Sequence, residues 1–385
     1  MVFSSSLFSQ LLSLIPRNDF HRAVRDHQAE RGAKGLTSWA HFVSMLFCQF
    51  AQAKSLREIS DGLRICLGKL IHVNIRKAPP RSTLSYANAH RPWQMFEDLF
   101  YQVLEQARRV APQKKFRFKN KLFSLDSTVV DLCLSLFPWA KFRRKKGAIK
   151  LHMLLDHDGY LPVFAHITEG AVHDVNIARL LALAPDSIVA MDRAYTDYTL
   201  FCAWTKKSIW FVTRMKNNAK YRVVLPIKIP INRNILSDEI IALTGTGAAK
   251  KCPHYLRRVV VWDEENQREI VLLTNHTEFG ATTIAAIYKD RWQIELFFKA
   301  IKQNLRIKTF VGTSPNALAV QIWTALLAVL ILAICRFRST FGWHLSRLIA
   351  LLRVNLFTYR ELWDWLNDPF HTPPLGPTEQ LEMRI

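Results

Sequence analysis

Acidic side chains are scarce in this chain. Asp and Glu number 31 against 53 Lys and Arg in 385 residues, a formal charge of +22. An enzyme of small substrates has no need of that excess. A polyanionic partner accounts for it, because each phosphate neutralised releases counterions. Nucleic acid and an anionic membrane surface are the two polyanions to weigh. Paired cysteines are also missing. Cys48, Cys66, Cys133, Cys202, Cys252 and Cys335 are scattered, with no C-x-x-C pair and no zinc-ligand spacing to His. They are expected to be buried thiols in a reducing cytoplasm. The first residues lack a basic stretch before their apolar part and a small-x-small cleavage site, so they are expected to form a helix, not a signal peptide. There is no internal repeat and no low-complexity tract.

What is present is a large apolar fraction, 49% of the chain, enough for two to four folding units with sizeable cores. Residues 318–335 are almost wholly apolar and long enough to cross a bilayer. They contain Gln321, follow a charged amphipathic helix and precede Arg336 and Arg338, so a central core helix is expected instead.

Residues 1–112 show helical periodicity, with Thr37 or Ser38 and then Ser82 placed as caps. Short basic helices of this kind suit a DNA-reading module. At Phe116 the pattern turns strand-like. Two strands joined by a turn at Asp156–Gly159 follow the first, then a helix expected from Asp174 to residue 183, a buried strand over 187–192, a helix capped near Asp197 and a further strand. That order predicts an α/β fold with a ribonuclease-H-like mixed sheet core, its first part over 116–213. A β-rich insertion is expected over 214–275, the second part of the core over 276–310, and a helical region over 311–385. The helical N- and C-terminal regions are thus expected as flanking domains.

Three acids stand out. Asp126 lies within the first predicted strand and Asp192 ends the buried one. A charge on an apolar strand is costly unless it is paired or bound to metal. Neighbouring strands would bring both to one point, and such a pair suits Mg²⁺ or Mn²⁺. The third is Glu295, on a helix predicted from Ala281 past Lys302. Tyr288, Arg291, Glu295 and Lys302 fall within about 60° of one another around that helix, with Lys299 close by. One face therefore carries an acid, a phenol and cations, and the cations suit phosphates. Alone, an Asp at a strand end is usually a turn residue and an Arg–Glu pair a surface ion pair. The three acids in the right elements and order carry the argument.

Tyr288, Arg291, Glu295 and Lys302 complete the Tyr-Arg-Glu-Lys signature of the bacterial insertion-sequence DDE transposases of family four, which the chain resembles. Leu125–Thr128, His173-Asp174, Asp192–Tyr195 and Leu272–Asn275 are similar to the same family. The resemblance covers roughly residues 120–310, and the amino-terminal region more loosely. It implies an Asp126, Asp192 and Glu295 triad for catalysis and metal binding, Mg²⁺-dependent cleavage at element ends, and strand transfer into target DNA. It also implies double-stranded DNA with terminal inverted repeats as partner, a synaptic homodimer, and no membrane partner. Residues 1–112 would bind the repeats and 311–385 would serve dimerisation. Tyr288, Arg291 and Lys302 would handle phosphates, with Lys299, Arg193 and Lys150 as further DNA contacts. Excision in some relatives passes through a DNA hairpin, with a flipped base stacked on a Trp of the insertion. Here Ile270 stands where some relatives place that Trp; Trp262, across the predicted hairpin, is a candidate substitute, and a core Trp is the competing and favoured reading of it. Ala194 replaces a Gly common in relatives.

Lesser candidates are the basic run over 143–146, His152 on the same strand face as Lys150, and Lys216 and Lys220 at the start of the insertion. His173, Asp156 and Asp158 are expected as structural or turn residues, and Asp131 as a weaker acid. The competing functions are a decayed or domesticated DNA-binding relative without catalysis, and a membrane-associated protein resting on residues 318–335.

Overall fold

A computed structural model describes residues 5–66, 68–113, 116–143, 146–231, 233–307 and 309–375. Arg144 and Lys145 of the basic run lie outside the described residues. Helices α1 (Leu7–Ser13), α2 (Arg17–Asp26), α3 (Ser38–Ala51), α4 (Leu56–Arg64), α5 (Arg81–His90) and α6 (Gln94–Val110) open the chain. There follow β1 (Leu122–Leu132), β2 (Lys141–Arg143), β3 (Lys146–Asp156), β4 (Leu161–Glu169), α7 (Asp174–Ala178), β5 (Ile188–Met191), α8 (Tyr198–Lys206) and β6 (Trp210–Arg214). Next come β7 (Tyr221–Pro226), β8 (Ile235–Leu243), α9 (Thr246–Lys251), β9 (Leu256–Asp263), β10 (Arg268–Thr274), α10 (Ala281–Asp290) and α11 (Gln293–Asn304). Helices α12 (Pro315–Arg338), α13 (Leu345–Asn355) and α14 (Leu362–Asn367) complete the described chain.

The chain divides into a helical unit and a sheet unit. The helical unit takes residues up to Pro112, Cys133–Trp139 and everything from Lys299. The two flanking helical domains expected from sequence are therefore one unit, because α12 packs on α3, α5 and α6. Ser314 caps α12 by accepting from the Ala317 amide, and Pro315 follows in the first turn, where its missing N–H costs nothing. The apolar window of α12 is buried throughout inside the protein, as a core helix requires.

Gln321 explains itself in that core. Its side-chain amide donates to the carbonyls of Arg306 and Thr309, both at 2.7 Å, and its carbonyl oxygen accepts from the Val311 amide at 2.9 Å. One side chain thus satisfies the backbone of an irregular segment that has no ladder of its own. Gln321→Leu is expected to lower unfolding free energy by about 2–4 kcal/mol, since three polar groups lose their partner. Urea unfolding measures it, and a loss below ~0.5 kcal/mol would contradict the account.

Thr37 caps α3 as expected. Ser82 does not cap α5; the helix starts at Arg81 with extended Pro80 at the cap position, two residues earlier than expected. Helix α7 is shorter than the sequence pattern implies and ends at Ala178.

The sheet unit is built on one mixed sheet of order β2-β3-β1-β5-β6-β10-β9-β8-β7, with β4 also paired to β3. Strands β1, β5 and β6 run parallel, and the other pairings are antiparallel. The β-rich insertion is thus no separate lobe. Its last strand, β10, pairs with β6, and β9, β8 and β7 extend the same sheet. Successive residues of β5 point to opposite faces. Val189 and Met191 join Phe201 and Trp204 of α8 in one core. Ile188 and Ala190 join Ile284, Ile287 and Tyr288 of α10 in another. Helices therefore cover both faces of the parallel strands, which is why those strands are apolar on both sides.

A buried ion pair ties the extension to α10. Arg257 of β9 donates to both carboxylate oxygens of Asp238 on β8, at 2.8 and 2.7 Å, with both side chains no more than 3% exposed. The same guanidinium donates to the carbonyls of Thr277 and Phe279, just before α10 begins.

Candidate active site

Strand register brings the two Asp residues together. Leu125 of β1 pairs with Met191 of β5 in parallel, and Asp126 and Asp192 are the next residues on each strand. Alternation turns both towards the face covered by α10. Asp192 is anchored by its own turn, accepting from the Ala194 amide at 3.0 Å. Asp126 accepts from the Ser127 amide at 2.8 Å.

Glu295 arrives from that face by a route the sequence pattern did not imply. The single helix expected from Ala281 past Lys302 is two helices, with a tight turn at Arg291 and Trp292. There the amides fall back to three-residue spacing: Trp292 bonds the Lys289 carbonyl at 3.3 Å, and Ile294 bonds that of Arg291 at 3.1 Å. Tyr288 and Glu295 thus sit on different helices, and a single helical projection does not describe them. Arg291 and Glu295 meet all the same, at 2.7 Å. The Arg291 guanidinium also reaches Asp126, at 3.3 Å.

Acids from β1 and α11 are therefore bridged by one buried cation, and Asp192 stands close enough for its charge to act on Asp126. Burial raises the Asp126 carboxyl from 3.8 to about 6, against the Ser127 amide and Arg291, which lower it, and with Glu295 and Asp192 adding to the rise. The donor chemistry, three carboxylates, suits a hard divalent cation. The placement does not form a cage: among the described residues no group of three His, Cys, Asp or Glu is close enough to hold a metal ion. The guanidinium bridges two of the three acids in its stead.

The other expected contacts are scattered in their surroundings. Tyr288 is buried, with the guanidinium carbons of Arg214 and Arg291 each 5.5 Å from its ring centre. Arg193 is exposed and lines a cavity of about 430 Å³ with Asp192, Ala194, Lys216, Asn217 and Asn218. Lys150 is drawn inward to the Val172 carbonyl at 2.9 Å and to Asp174 at 3.3 Å. His152, on the same strand face, lies 3.5 Å from Asp174, and burial lowers its imidazole to about 4. Trp262 is half-buried on β9, paired with Glu269 of β10. Lys299 is exposed on α11, and Lys302, half-buried, follows it on that helix; both fall in the helical unit.

Four features beside the site have no role assigned to them from the sequence. Asp174 accepts from the Ser127 hydroxyl at 2.9 Å as well as from Lys150. Tyr195 is buried, and burial followed by the charges of Asp174, Asp126 and Asp192 pushes its phenol well above the usual range. Trp292, in the turn between α10 and α11, is 54% exposed. Behind the turn, buried His157 bonds Asp290 at 2.8 Å through one ring nitrogen and the Ser124 hydroxyl at 2.8 Å through the other, with Tyr160 donating to Asp290 at 3.2 Å. His157 and Asp290 are 133 positions apart, so no local pattern could pair them.

An acid-bearing sheet with helices on both faces, and a third acid supplied by a following helix, defines the class to compare with. The model of a family described as "Transposase DDE domain" matches residues 117–331, and that of a "Domain of unknown function (DUF4372)" matches residues 4–76. A Sinorhizobium fredii protein named as a transposase, y4zB, is 32% identical over 79% of this chain and 83% of its own length. A Geobacillus stearothermophilus protein named as the transposase of insertion sequence element IS5377 is 30% identical over 65% of this chain and 66% of its own. A Synechocystis protein named as the transposase of element IS4SA is 25% identical over 65% and 70%. The chain belongs to the DDE-domain transposases of insertion sequences.

Proposed function

We propose that the chain is a cut-and-paste transposase of family four, with Asp126, Asp192 and Glu295 as its catalytic acids on a ribonuclease-H-like core. The observation that carries this reading is the meeting of Asp126 and Glu295 on one guanidinium, with Asp192 at the adjoining end of the parallel neighbour strand. The order β4-β3-β1-β5-β6 within the sheet supports the core assignment. Its substrate is double-stranded DNA, the terminal inverted repeats and then the target, in a synaptic homodimer acting in the cytoplasm. Hydrolysis at the element end frees a 3′-hydroxyl, which then attacks target DNA. Mg²⁺ or Mn²⁺ would be held by the three acids and would supply Lewis-acid charge to the phosphodiester.

The chain's own groups bind and orient the DNA. Arg193 and Lys216 flank Asp192 in an open cavity, a place for backbone phosphates. Lys299 and Lys302 extend cationic charge along α11. Arg291 carries charge from the acids to phosphate, with the Tyr288 ring beside it. Lys150 holds Asp174, which fixes Ser127 beside Asp126. Trp262 of the insertion is the stacking candidate for a flipped base.

The test is cleavage of a duplex carrying the element's own terminal repeat. Asp192→Ala and Glu295→Ala are each expected to cost a factor of about 10³ or more, several kcal/mol of transition-state stabilisation. Mg²⁺-dependent cleavage surviving in either variant would overturn the assignment.

A further inference from the structure

Arg291 is in the wrong place for a residue whose task is DNA alone. Its side chain is 9% exposed, and its two terminal nitrogens go to Asp126 and Glu295, two of the three acids assigned to metal. A guanidinium on those oxygens and a divalent cation on the same oxygens exclude each other, both by volume and by like charge. Its Nε is buried without a hydrogen-bond partner, so the side chain is held by the two carboxylates. The backbone beneath it is pinned. Asp290, the preceding residue, is buried and bonded to His157 and Tyr160, and His157 is bonded in turn to Ser124 of β1. Movement of the charge is therefore a swing of one side chain about a fixed α-carbon. The Tyr288 ring already lies beside the guanidinium and gives it a surface to swing across.

We propose that Arg291 is an interlock: in the DNA-free protein it takes the place of the divalent cation between Asp126 and Glu295, and a DNA phosphate draws it away and opens the acids to metal. This rests on the metal-binding reading of the three acids given above. Metal and DNA then bind with positive cooperativity, because each is favoured by the same displacement of one side chain. The acids stay neutralised until a phosphodiester is present.

Mn²⁺ titration of the full chain, followed by electron paramagnetic resonance without DNA, tests it. Arg291→Gln is expected to tighten Mn²⁺ binding roughly tenfold or more. A terminal-repeat duplex is expected to tighten binding to the wild type by a similar factor and to leave Arg291→Gln nearly unchanged. Lys289→Gln removes a cation two positions from Arg291 that is exposed and paired with Glu265 at 3.1 Å, and is expected to change the affinity by no more than about twofold. Arg291→Lys keeps the charge but cannot bridge two carboxylates as a fork, so an intermediate gain is expected and serves if Arg291→Gln does not fold. Unchanged Mn²⁺ affinity in the Arg291 variants, or an equal gain in Lys289→Gln, overturns the interlock. Adding Asp126→Asn to Arg291→Gln separates the two claims. If that addition abolishes the binding, the metal assignment stands whatever Arg291 does. If it does not, the assignment of the acids falls, and the interlock with it.

Discussion

Asp126→Asn is expected to abolish cleavage of the terminal repeat, by about three orders of magnitude or more, and at the same time to raise the melting temperature. The two effects have one origin. Asp126 lies on β1 among apolar neighbours, and its carboxyl titrates near 6 in the folded protein against 3.8 for an ordinary Asp. Between those values the folded protein keeps a proton that the unfolded chain has released. Stability is therefore full below 3.8, falls as pH rises to about 6, and stays at the lower level above. At pH 7.5 the neutral amide removes that penalty, about 1–3 kcal/mol, which corresponds to a rise of several degrees. Thermal melts across pH read it: the gap between variant and wild type should be widest above pH 6 and close below pH 4. Equal melting curves at pH 7.5 would contradict the burial account, and retained cleavage would contradict the role.

Removing one partner of the buried Arg257–Asp238 pair should destabilise the fold more than any other single substitution in the sheet unit. Asp238→Ala leaves a guanidinium 3% exposed with no counter-charge, and a loss of about 3–5 kcal/mol is expected. The double variant Asp238→Leu with Arg257→Met should recover much of it, because the desolvation cost leaves with both charges. Recovery should be incomplete, since the carbonyls of Thr277 and Phe279 lose their donor. Urea unfolding of the three proteins decides. A single variant within ~1 kcal/mol of wild type would mean that water reaches the pair.

The parts of this fold that are legible in the sequence are those with short-range causes. Asp126 and Asp192 announce themselves because a charge interrupts an apolar strand, and the Gly159 turn because φ is positive there, at +71°. The α10–α11 break was not legible. Residues 281–302 contain neither Gly nor Pro, and their periodicity continues across the break. The turn is held from outside, by His157 on Asp290 and by Arg291 on the acids. Nor could periodicity separate an insertion that forms a lobe from one that lengthens the sheet. The deciding fact is that β10 pairs with β6, and both kinds of strand show the same alternation. The union of the terminal helical regions has the same cause: α12 meets α6 across more than 200 positions.

That last pairing imposes an order on biosynthesis. Helices α3 and α6 leave the ribosome with apolar faces built for a helix that begins only at Pro315. The whole sheet unit, whose last residue is Phe298, is translated in between. The sheet unit can thus be complete while the helical unit still waits, its faces exposed for the time taken to add some 200 residues, tens of seconds at ordinary elongation rates. The first part of the chain to be made is among the last to be folded.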